Sequence, residues 1–308
     1  MIKIMVIVMI QSVFQDKIIL VVGGDLRQMT LAKLFREKNK VFCLGLEQFN
    51  HSDETKSSVE QLILQGVRPD YIILPMPVSI DNQTVNTPFS SKQILLDDVL
   101  SLTHDKTIVY GGKISPSVKQ RIEDKKLWYF DYLEREEFAI LNAIPTAEGA
   151  IQIAMEEIAT TIYDTKCLIV GYGRISKVLA KYLHVMGADV TVSARKYEDL
   201  AWIKVNGFKA VHTNDIIKVI GEQQIVFNTV PATVLNENVL LTAPNECLMI
   251  DLASKPGGID FEVANKLGIK TIWALSLPGK VAPITAGKII FNTIQNIENE
   301  RRLGYEED

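Results

Sequence analysis

The sequence predicts an α/β protein made of two doubly wound parallel-sheet domains with a cleft between them. Three observations lead to this prediction. Short apolar runs recur along the chain, amphipathic stretches of helical length separate them, and glycine-containing turns follow several of the runs. Strands that are apolar throughout are typical of parallel sheets, because helices cover both faces of such a sheet. The 308 residues are enough for two domains of ordinary size.

The first half of the chain alternates strands and helices from Lys17 onward. Ile18–Val22 is the first predicted strand, and two glycines lead from it into a helix. A long polar loop occupies residues 75–90. The other predicted strands are 41–44, 71–74, 107–110 and 127–130, and the predicted helices are 26–38, 57–65, 92–102 and 117–123.

The second half repeats the scheme after a long helix. Residues 145–149 are predicted to begin that helix, which ends near Thr161, with Thr146 as its N-cap and Glu148 in its first turn. The strands predicted after it are 167–170, 190–192, 210–212, 225–227, 248–250 and 271–273.

A closing helix is predicted from an apolar stripe of four isoleucines, Ile289, Ile290, Ile294 and Ile297. We expect it to return to the first domain, which makes that domain discontinuous and the connection a hinge. The predicted domains are residues 1–143 with 281–308, and residues 144–280.

Composition and charge indicate an ordinary globular protein. Hydrophobic residues make up 47% and charged residues 23% of the chain, and the formal net charge is −4. No block of lysines or arginines could follow a phosphate backbone, so nucleic acid is not expected as a partner. Residues 1–10 are apolar but too short to span a bilayer, so a membrane is not expected either. We interpret residues 1–16 as an extension or an extra strand.

Cysteines and histidines are dispersed along the chain. The three cysteines lie in or beside apolar runs, which predicts buried, reduced thiols and a cytoplasmic protein. The four histidines show no spacing typical of metal ligands, so no metal site is predicted.

The most informative segment is a glycine turn within residues 166–180, where an apolar strand runs into a helix. Gly171 permits the tight turn, and Gly173 lets the backbone approach a phosphate without a Cβ in the way. The N–H groups that begin the next helix then face the anion. Ser176 replaces the third glycine of the pattern and is small enough for a helix to pack closely on a strand. These features predict a dinucleotide-binding Rossmann domain at residues 144–280.

The end of the next strand bears on which dinucleotide binds. Asp189 lies about 10 Å too early along the strand to bind a ribose hydroxyl. Ser193, Arg195 and Lys196 at the end of the strand offer a hydroxyl and two cations, which suit a 2′-phosphate. We therefore favour NADP over NAD. The alternative is that Arg195 and Lys196 form a solvated turn.

Seven motifs follow one another along the chain: residues 23–28, 86–90, 144–149, the glycine turn, 228–231, 251–258 and 277–283. Each motif alone is unspecific, but the ordered set is specific. The set resembles the dipicolinate synthase A family, the dehydrogenase-like component of the enzyme that makes the pyridine-2,6-dicarboxylate of bacterial endospores. The likeness extends from Lys17 to about Ile297.

The resemblance implies an NADP-dependent oxidation of a dihydropyridine dicarboxylate, derived from the lysine pathway, to dipicolinate during sporulation. Aromatisation of the ring would drive the loss of hydride, and the cofactor would accept it. The resemblance also implies that a flavoprotein-like B subunit is the partner, and we expect a homo-oligomer.

Ligands of open α/β sheets lie beyond the carboxyl ends of the strands, and this rule selects the candidate site residues. For a substrate with two carboxylates, Arg27 and Lys113 are the first candidates for a clamp, followed by Thr87 and Ser90. Asp25 could orient Arg27 or take a proton, although a surface helix charge explains Arg27 equally well. The catalytic acid or base is not identified. The cofactor-binding candidates are Gly171, Tyr172, Gly173, Arg174, Ile175, Ser193, Arg195, Lys196, Thr229, Val230, Pro231 and Ala253.

Two other functions remain open. A regulatory or scaffold protein that binds NADP(H) would need no hydride transfer, and no catalytic histidine is obvious in the sequence. A D-2-hydroxy-acid dehydrogenase would need a histidine near its last strand, where residues 274–278 contain none. His184, interpreted as a packing residue, and His212, at a strand end, do not replace it.

Overall fold

The structure is a computed structural model that describes residues 13–49 and 58–304. Its strands are β1 (Ile18–Val22), β2 (Lys40–Leu44), β3 (Tyr71–Ile73), β4 (Ile108–Gly111), β5 (Trp128–Asp131), β6 (Lys166–Val170), β7 (Asp189–Ala194), β8 (Lys209–His212), β9 (Ile225–Asn228), β10 (Leu248–Asp251) and β11 (Thr271–Trp273). Its helices are α1 (Leu26–Arg36), α2 (Val59–Leu64), α3 (Leu96–Ser101), α4 (Pro116–Asp124), α5 (Glu136–Glu157), α6 (Arg174–Val185), α7 (Tyr197–Val205), α8 (Glu237–Leu240), α9 (Phe261–Lys266), α10 (Leu277–Val281) and α11 (Pro283–Leu303). Short 3-10 helices lie at Glu47–Phe49, Tyr132–Glu134, Thr213–Lys218 and Ile220–Glu222.

The chain divides into two compact units. The first contains Met1–Phe138 and Pro283–Asp308, and the second contains Ala139–Ala282. Helix α11, which carries the predicted isoleucine stripe, therefore belongs to the first unit. Its Gly287 allows α11 to approach α1 closely, because a Cβ at that position would stand 2.8 Å from the carbonyl oxygen of Arg27.

The first unit is a parallel sheet with strand order β2-β1-β3-β4-β5. Alternate residues of β1 serve two cores: Ile19 and Val21 pack with α1 and α11, whereas Leu20 and Val22 pack with α2, α3 and α4. The chain reverses direction across the sheet between β1 and β3. In a sheet of this order the carboxyl ends of those two strands form the usual ligand site.

The second unit is a parallel sheet with strand order β11-β10-β9-β6-β7-β8. Its two faces are also covered, since Cys167 and Ile169 of β6 pack with α5 and α6, and Leu168 and Val170 pack on the face of α8 and α9. The order is that of a Rossmann dinucleotide-binding domain, in which the direction reverses between β6 and β9. The predicted fold class, two doubly wound parallel sheets, is confirmed.

The long helix begins earlier than predicted. Helix α5 starts at Glu136 and contains Pro145 in its interior, and Thr146 donates its hydroxyl to the carbonyl of Asn142 instead of capping a helix. Buried Phe138 and Ala143 hold the preceding turns in place, and this packing outweighs the backbone hydrogen bond that Pro145 removes. Among the described residues α5 is the one helix that is long and apolar enough to cross a membrane, but half of its most apolar stretch is buried. Its alanines lie in the core of the second unit, as expected of a core helix.

Val13 and Phe14, which lie in the segment interpreted as an extension or an extra strand, pack into the core of the first unit, whereas Gln15 and Asp16 are exposed. Phe14 is fully buried and contacts the rings of Phe35 and Tyr71 at centroid distances of 5.1 and 4.8 Å. Residues 1–12 lie outside the described part of the chain. The helix predicted at 92–102 is shorter, because Gln83 and Val85 hydrogen-bond to residues 94–96 and hold the first residues as a loop.

Candidate functional site

The turn after β6 requires glycine at position 171. Gly171 has a φ of +99°, and a Cβ there would stand 2.7 Å from both Thr229 Oγ1 and Val230 Cγ2. An L side chain would therefore be strained by its backbone and would also clash with the segment after β9. The structure thus brings three of the predicted cofactor residues together at the carboxyl edge of the second sheet.

Gly173 has a different role in the same turn. It is the N-cap of α6 at φ −88°, where it supplies no capping side chain, and no atom lies within 4 Å of the position that its Cβ would take. The space beside the first turn of α6 is therefore open on the side of Gly173. The start of a 12-residue helix whose N-cap residue makes no side-chain cap fits the pyrophosphate of a dinucleotide.

Ser176 does more than fill the place of the third glycine. It is fully buried, and its hydroxyl lies 2.8 Å from Thr229 Oγ1. Because the Thr229 hydroxyl donates its proton to the carbonyl of Val170 at 2.8 Å, Ser176 is the donor in the bond to Thr229. The pair joins α6 to the ends of both β6 and β9.

Ser193 is buried at the end of β7 and supports the glycine turn. The N–H of Gly171 donates to the Ser193 carbonyl at 3.1 Å and to its hydroxyl at 3.3 Å. Arg195 and Lys196 follow as exposed residues. Lys196 forms a surface ion pair with Glu198 at 3.2 Å, whereas the Arg195 guanidinium has no partner within the described part of the chain.

His212 holds the backbone of Arg195 in place. Its Nδ1 accepts the N–H of Asn214 at 3.2 Å, so Nε2 carries the proton and donates to the Arg195 carbonyl at 3.1 Å. The exposed ring of Tyr197 lies 5.9 Å from the His212 ring. A histidine at the strand end therefore positions a candidate phosphate ligand.

Asp251, at the end of β10, organises the loop that contains Ala253. Its fully buried carboxylate accepts the side-chain amide of Asn228 at 2.8 Å, the N–H of Ala253 at 2.9 Å and the N–H of Gly258 at 2.7 Å. Asn228 also receives the N–H of Val230 at 3.2 Å. The sequence rule for strand ends selected Ala253 but missed Asp251, although an acidic residue that ends an apolar strand was the available signal.

The remaining cofactor candidates surround the turn. Tyr172 is half-buried and accepts a hydrogen bond from Asn206 at 3.2 Å, Ile175 packs on the core of the second unit, and Pro231 is exposed. Arg174 is the exposed first residue of α6.

In the first unit, Asp25 and Arg27 lie at the reversal point of the sheet. Asp25 caps α1 and accepts Nε and Nη2 of Arg27, each at 2.8 Å, in a two-pronged ion pair. The Arg27 side chain is buried, which excludes the interpretation as a solvated surface charge. Asp25 orients Arg27. Gln28 beside it is also buried, and its Oε1 has no partner among the described residues.

The other clamp candidates differ in how accessible their polar groups are. Lys113 is exposed on a left-handed backbone (φ 57°), and Asp131 fixes its N–H at 3.0 Å. The methyl carbon of Thr87 lies 2.9 Å from the position that a Cβ on Gly23 would take and 2.7 Å from that of a Cβ on Gly45. The Ser90 hydroxyl is engaged locally with the backbone of Lys92 at 3.1 Å. Thr87 therefore lies beside the ends of β1 and β2, whereas Ser90 serves a turn.

The cysteines offer no nucleophile. All three are free and buried, as the sequence predicts. Burial raises the pKa of the Cys43 thiol to about 11 and that of Cys167 and Cys247 to about 12, so each thiol is protonated at neutral pH.

Comparisons with known proteins agree with this architecture. Residues 18–133 match the N-terminal domain of the A subunit of dipicolinate synthase, and residues 153–273 match shikimate / quinate 5-dehydrogenase. The dipicolinate synthase A subunit of Bacillus subtilis (strain 168) is 33% identical over 283 residues, which cover 91% of this chain and 95% of that protein. The crystal structure of the dipicolinate synthase A subunit from Bacillus halodurans is 32% identical, with a TM-score of 0.84 over 92% of this chain and 98% of that chain. The transhydrogenase from Sinorhizobium meliloti shares the fold at 15% identity, with a TM-score of 0.66 over 93% of this chain and 95% of that chain.

The sheet order, the glycine turn and these matches define a dehydrogenase-like protein with a nicotinamide-nucleotide-binding fold in its second unit. More specifically, identity above 30% over most of both chains places it in one family. The chain belongs to the dipicolinate synthase A family.

Proposed function

We propose that this chain oxidises a dihydropyridine dicarboxylate to dipicolinate with NADP as the hydride acceptor. The substrate loses a hydride to NADP and a proton to a base or solvent, and the products are the aromatic pyridine dicarboxylate and NADPH. Aromatisation supplies much of the driving force, so the protein mainly has to position the ring. The observation that carries the proposal is the glycine turn before α6, with open space beside Gly173, in a chain that belongs to this family.

The residues at the carboxyl edge of the second sheet fit NADP. The N–H groups at the start of α6 would bind the pyrophosphate, and Gly173 would let it approach the backbone. Arg195 would bind the 2′-phosphate with its guanidinium, and Lys196 would add a second positive charge. Thr229, Val230, Pro231 and Ala253 would flank the ribose and nicotinamide. When bound, the nicotinamide accepts the hydride.

The residues at the carboxyl edge of the first sheet fit a dicarboxylate. The Asp25 carboxylate occupies one side of the Arg27 guanidinium, and Nη1 of Arg27 has no protein partner within the described residues. This nitrogen would bind one substrate carboxylate. The Lys113 ammonium and the Thr87 hydroxyl are the further donors that we assign to the clamp.

The proposal includes a partner. The relatives that this chain matches are named as the A component of a synthase, which supports a complex with a separate B subunit. Three buried, protonated thiols fit a reducing cytoplasm, and the product assigns the complex to sporulation.

The test is reconstitution. Purified chain, alone and with a B-type subunit, is mixed with NADP and freshly generated dihydrodipicolinate, and reduced cofactor and dipicolinate are measured together. Equal amounts of both products support the proposal. Tight NADP binding without either product would instead indicate a regulatory or scaffold protein.

A further inference from the structure

The second unit carries an apolar surface that its own residues leave open. Between α5 and α6 runs a shallow groove of about 670 Å³, lined by Ile151 and Met155 of α5, Val185 of α6 and Met186 at the end of α6. Met155 is 58% exposed and Val185 77% exposed. Large apolar side chains grouped in this way mark a contact surface rather than scattered surface residues.

A second groove continues this surface onto α7. It measures about 520 Å³, shares Lys181 and Val185 with the first groove, and adds Trp202 and Phe208. Trp202 is 61% exposed. We call the surface formed by both grooves the α5–α6–α7 face, and tryptophan and methionine are residues that protein interfaces favour.

Charges of both signs line the first groove. Glu148 and Glu156 of α5 are about two turns apart and form its acidic edge, and Lys181 of α6 lies on its opposite edge, between the two grooves. None of these three residues forms an ion pair within the described part of the chain. Lys177, one turn before Lys181, extends the basic edge along the second groove.

We propose that the α5–α6–α7 face binds a second copy of this chain in a two-fold symmetric contact. In such a contact α5 of each copy lies against α6 of the other copy, so the acidic edge of one meets the basic edge of the other. The same rotation brings the exposed Met155 of each copy to the apolar groove of the other. A surface with an apolar centre, one acidic edge and one basic edge is complementary to a second copy of itself. A surface that binds a strongly charged partner would instead carry charges of one sign.

The proposal is independent of the reaction. Helices α5, α6 and α7 cover one face of the second sheet, and the cofactor candidates lie at its carboxyl edge. Tyr172 is the one cofactor candidate that also lines the second groove, and none of the variants below changes it. Loss of the contact should therefore leave NADP binding intact, and loss of NADP binding should leave the contact intact.

The test is the mass of the full-length chain by sedimentation velocity or light scattering over a range of concentrations. Wild-type protein should show twice the 34.5 kDa of one chain. Val185→Asp should weaken the dimer by about 100-fold or more, because it places a charge in the apolar centre. The matched control is Leu241→Asp, which changes a residue of 61% exposure beside the helices of the opposite sheet face and should leave the dimer unchanged.

Charge-reversal variants of Lys181 and Glu156 provide a second test of the dimer. Lys181→Glu and Glu156→Lys should each weaken the dimer by about tenfold or more, because each places like charges opposite one another. The double variant should restore the dimer, which a merely unfolded variant could not do. A wild-type monomer at all concentrations would overturn the proposal. A Val185→Asp variant that is still dimeric would also overturn the proposal. If that variant stays dimeric but no longer binds the B subunit, the face binds the B subunit instead of a second copy.

Discussion

Gly171 lies against Thr229 so closely that a Cβ on the glycine would stand 2.7 Å from the Thr229 hydroxyl oxygen. The contact joins the ends of β6 and β9, the two strands between which the second sheet reverses direction. Gly173, two residues later, has open space where its Cβ would be. Gly171 is therefore required for packing inside the protein, whereas Gly173 leaves room for a ligand.

This difference predicts opposite effects of alanine at the two positions. Gly171→Ala should destabilise the chain by at least about 1–2 kcal/mol, because it combines a strained φ with a clash. Gly173→Ala should unfold like wild type but bind both NADP and NAD at least about tenfold more weakly, because the new methyl group occupies the phosphate site. Chemical denaturation and cofactor titration measure the two effects.

Gly207→Ala is the matched control for Gly171→Ala. Gly207 has a φ of +84° and no atom within 4 Å of its Cβ position, so its alanine variant reports backbone strain without a clash. If Gly173→Ala binds NADP with wild-type affinity, the pyrophosphate does not bind at this turn.

Arg195 should determine the preference for NADP. A two-pronged contact to a phosphate contributes roughly 1.5–3 kcal/mol, so Arg195→Ala should weaken NADP binding by about ten- to a hundredfold and leave NAD binding nearly unchanged. Lys204→Ala, which removes one positive charge from the last turn of α7, is the control. Equal losses for both cofactors, measured by calorimetric titration, would refute the assignment.

Arg27 should bind a substrate carboxylate in the ground state and the transition state alike. Arg27→Ala should raise the apparent KM for the dicarboxylate and leave NADP affinity unchanged, and Arg27→Lys should restore only part of the loss. Steady-state kinetics of the reconstituted enzyme measure this change. Because Arg27 is paired with Asp25, the unfolding of each variant is measured in parallel. Lys33→Ala, on the same helix, is the control. Wild-type kcat/KM in Arg27→Ala would move the clamp to Lys113.

Much of this architecture follows from the sequence because the signals are local. A strand such as β6 is apolar throughout, and the turn after it needs glycines that the sequence displays directly. Arg195 is also identified by a local signal, because it directly follows the end of the strand after the glycine turn. The bounds of the helices escape such reasoning, since packing decides whether α5 continues through Pro145.

Contacts between distant segments could not be predicted in this way. The bond from Asn228 to Asp251 joins two strands, and the buried Ser193 hydroxyl supports a turn 22 residues away. The sequence predicted Ser193 as a phosphate ligand because its hydroxyl lies at the end of the strand, two residues before Arg195. Its burial becomes visible only when β6 and β8 are placed on either side of β7.

Glu298 should make the stability of the first unit depend on acid. Its buried carboxylate accepts the hydroxyls of Tyr71 and Tyr110, each at 2.8 Å, and Arg301 Nη2 at 2.7 Å. Burial alone would raise the pKa of Glu298, but the hydrogen bonds from Arg301 and the two tyrosines outweigh it and leave the pKa below its usual value of 4.5. This stabilisation is therefore present above about pH 4.5 and is lost as the pH falls through the lowered pKa.

Glu298→Gln should accordingly cost roughly 1–3 kcal/mol of unfolding free energy at neutral pH and less as the pH falls below 4.5. Urea unfolding at a series of pH values measures the difference from wild type. Glu262→Gln, at an exposed position, should show no such dependence. A cost that stays constant down to strongly acidic pH would show that the pKa of Glu298 is the same in the folded and unfolded chain, which contradicts the lowered pKa.

Transfer of deuterium tests the central claim most directly. The reconstituted enzyme is given a dihydropyridine dicarboxylate that carries deuterium on its saturated ring carbons, together with unlabelled NADP, and the reduced cofactor is analysed by mass spectrometry. Hydride transfer from the ring predicts NADPH that carries one deuterium, formed in equal amount to dipicolinate. Reduced cofactor without deuterium, or dipicolinate formed without reduced cofactor, would contradict the assignment of this chain as the dehydrogenase.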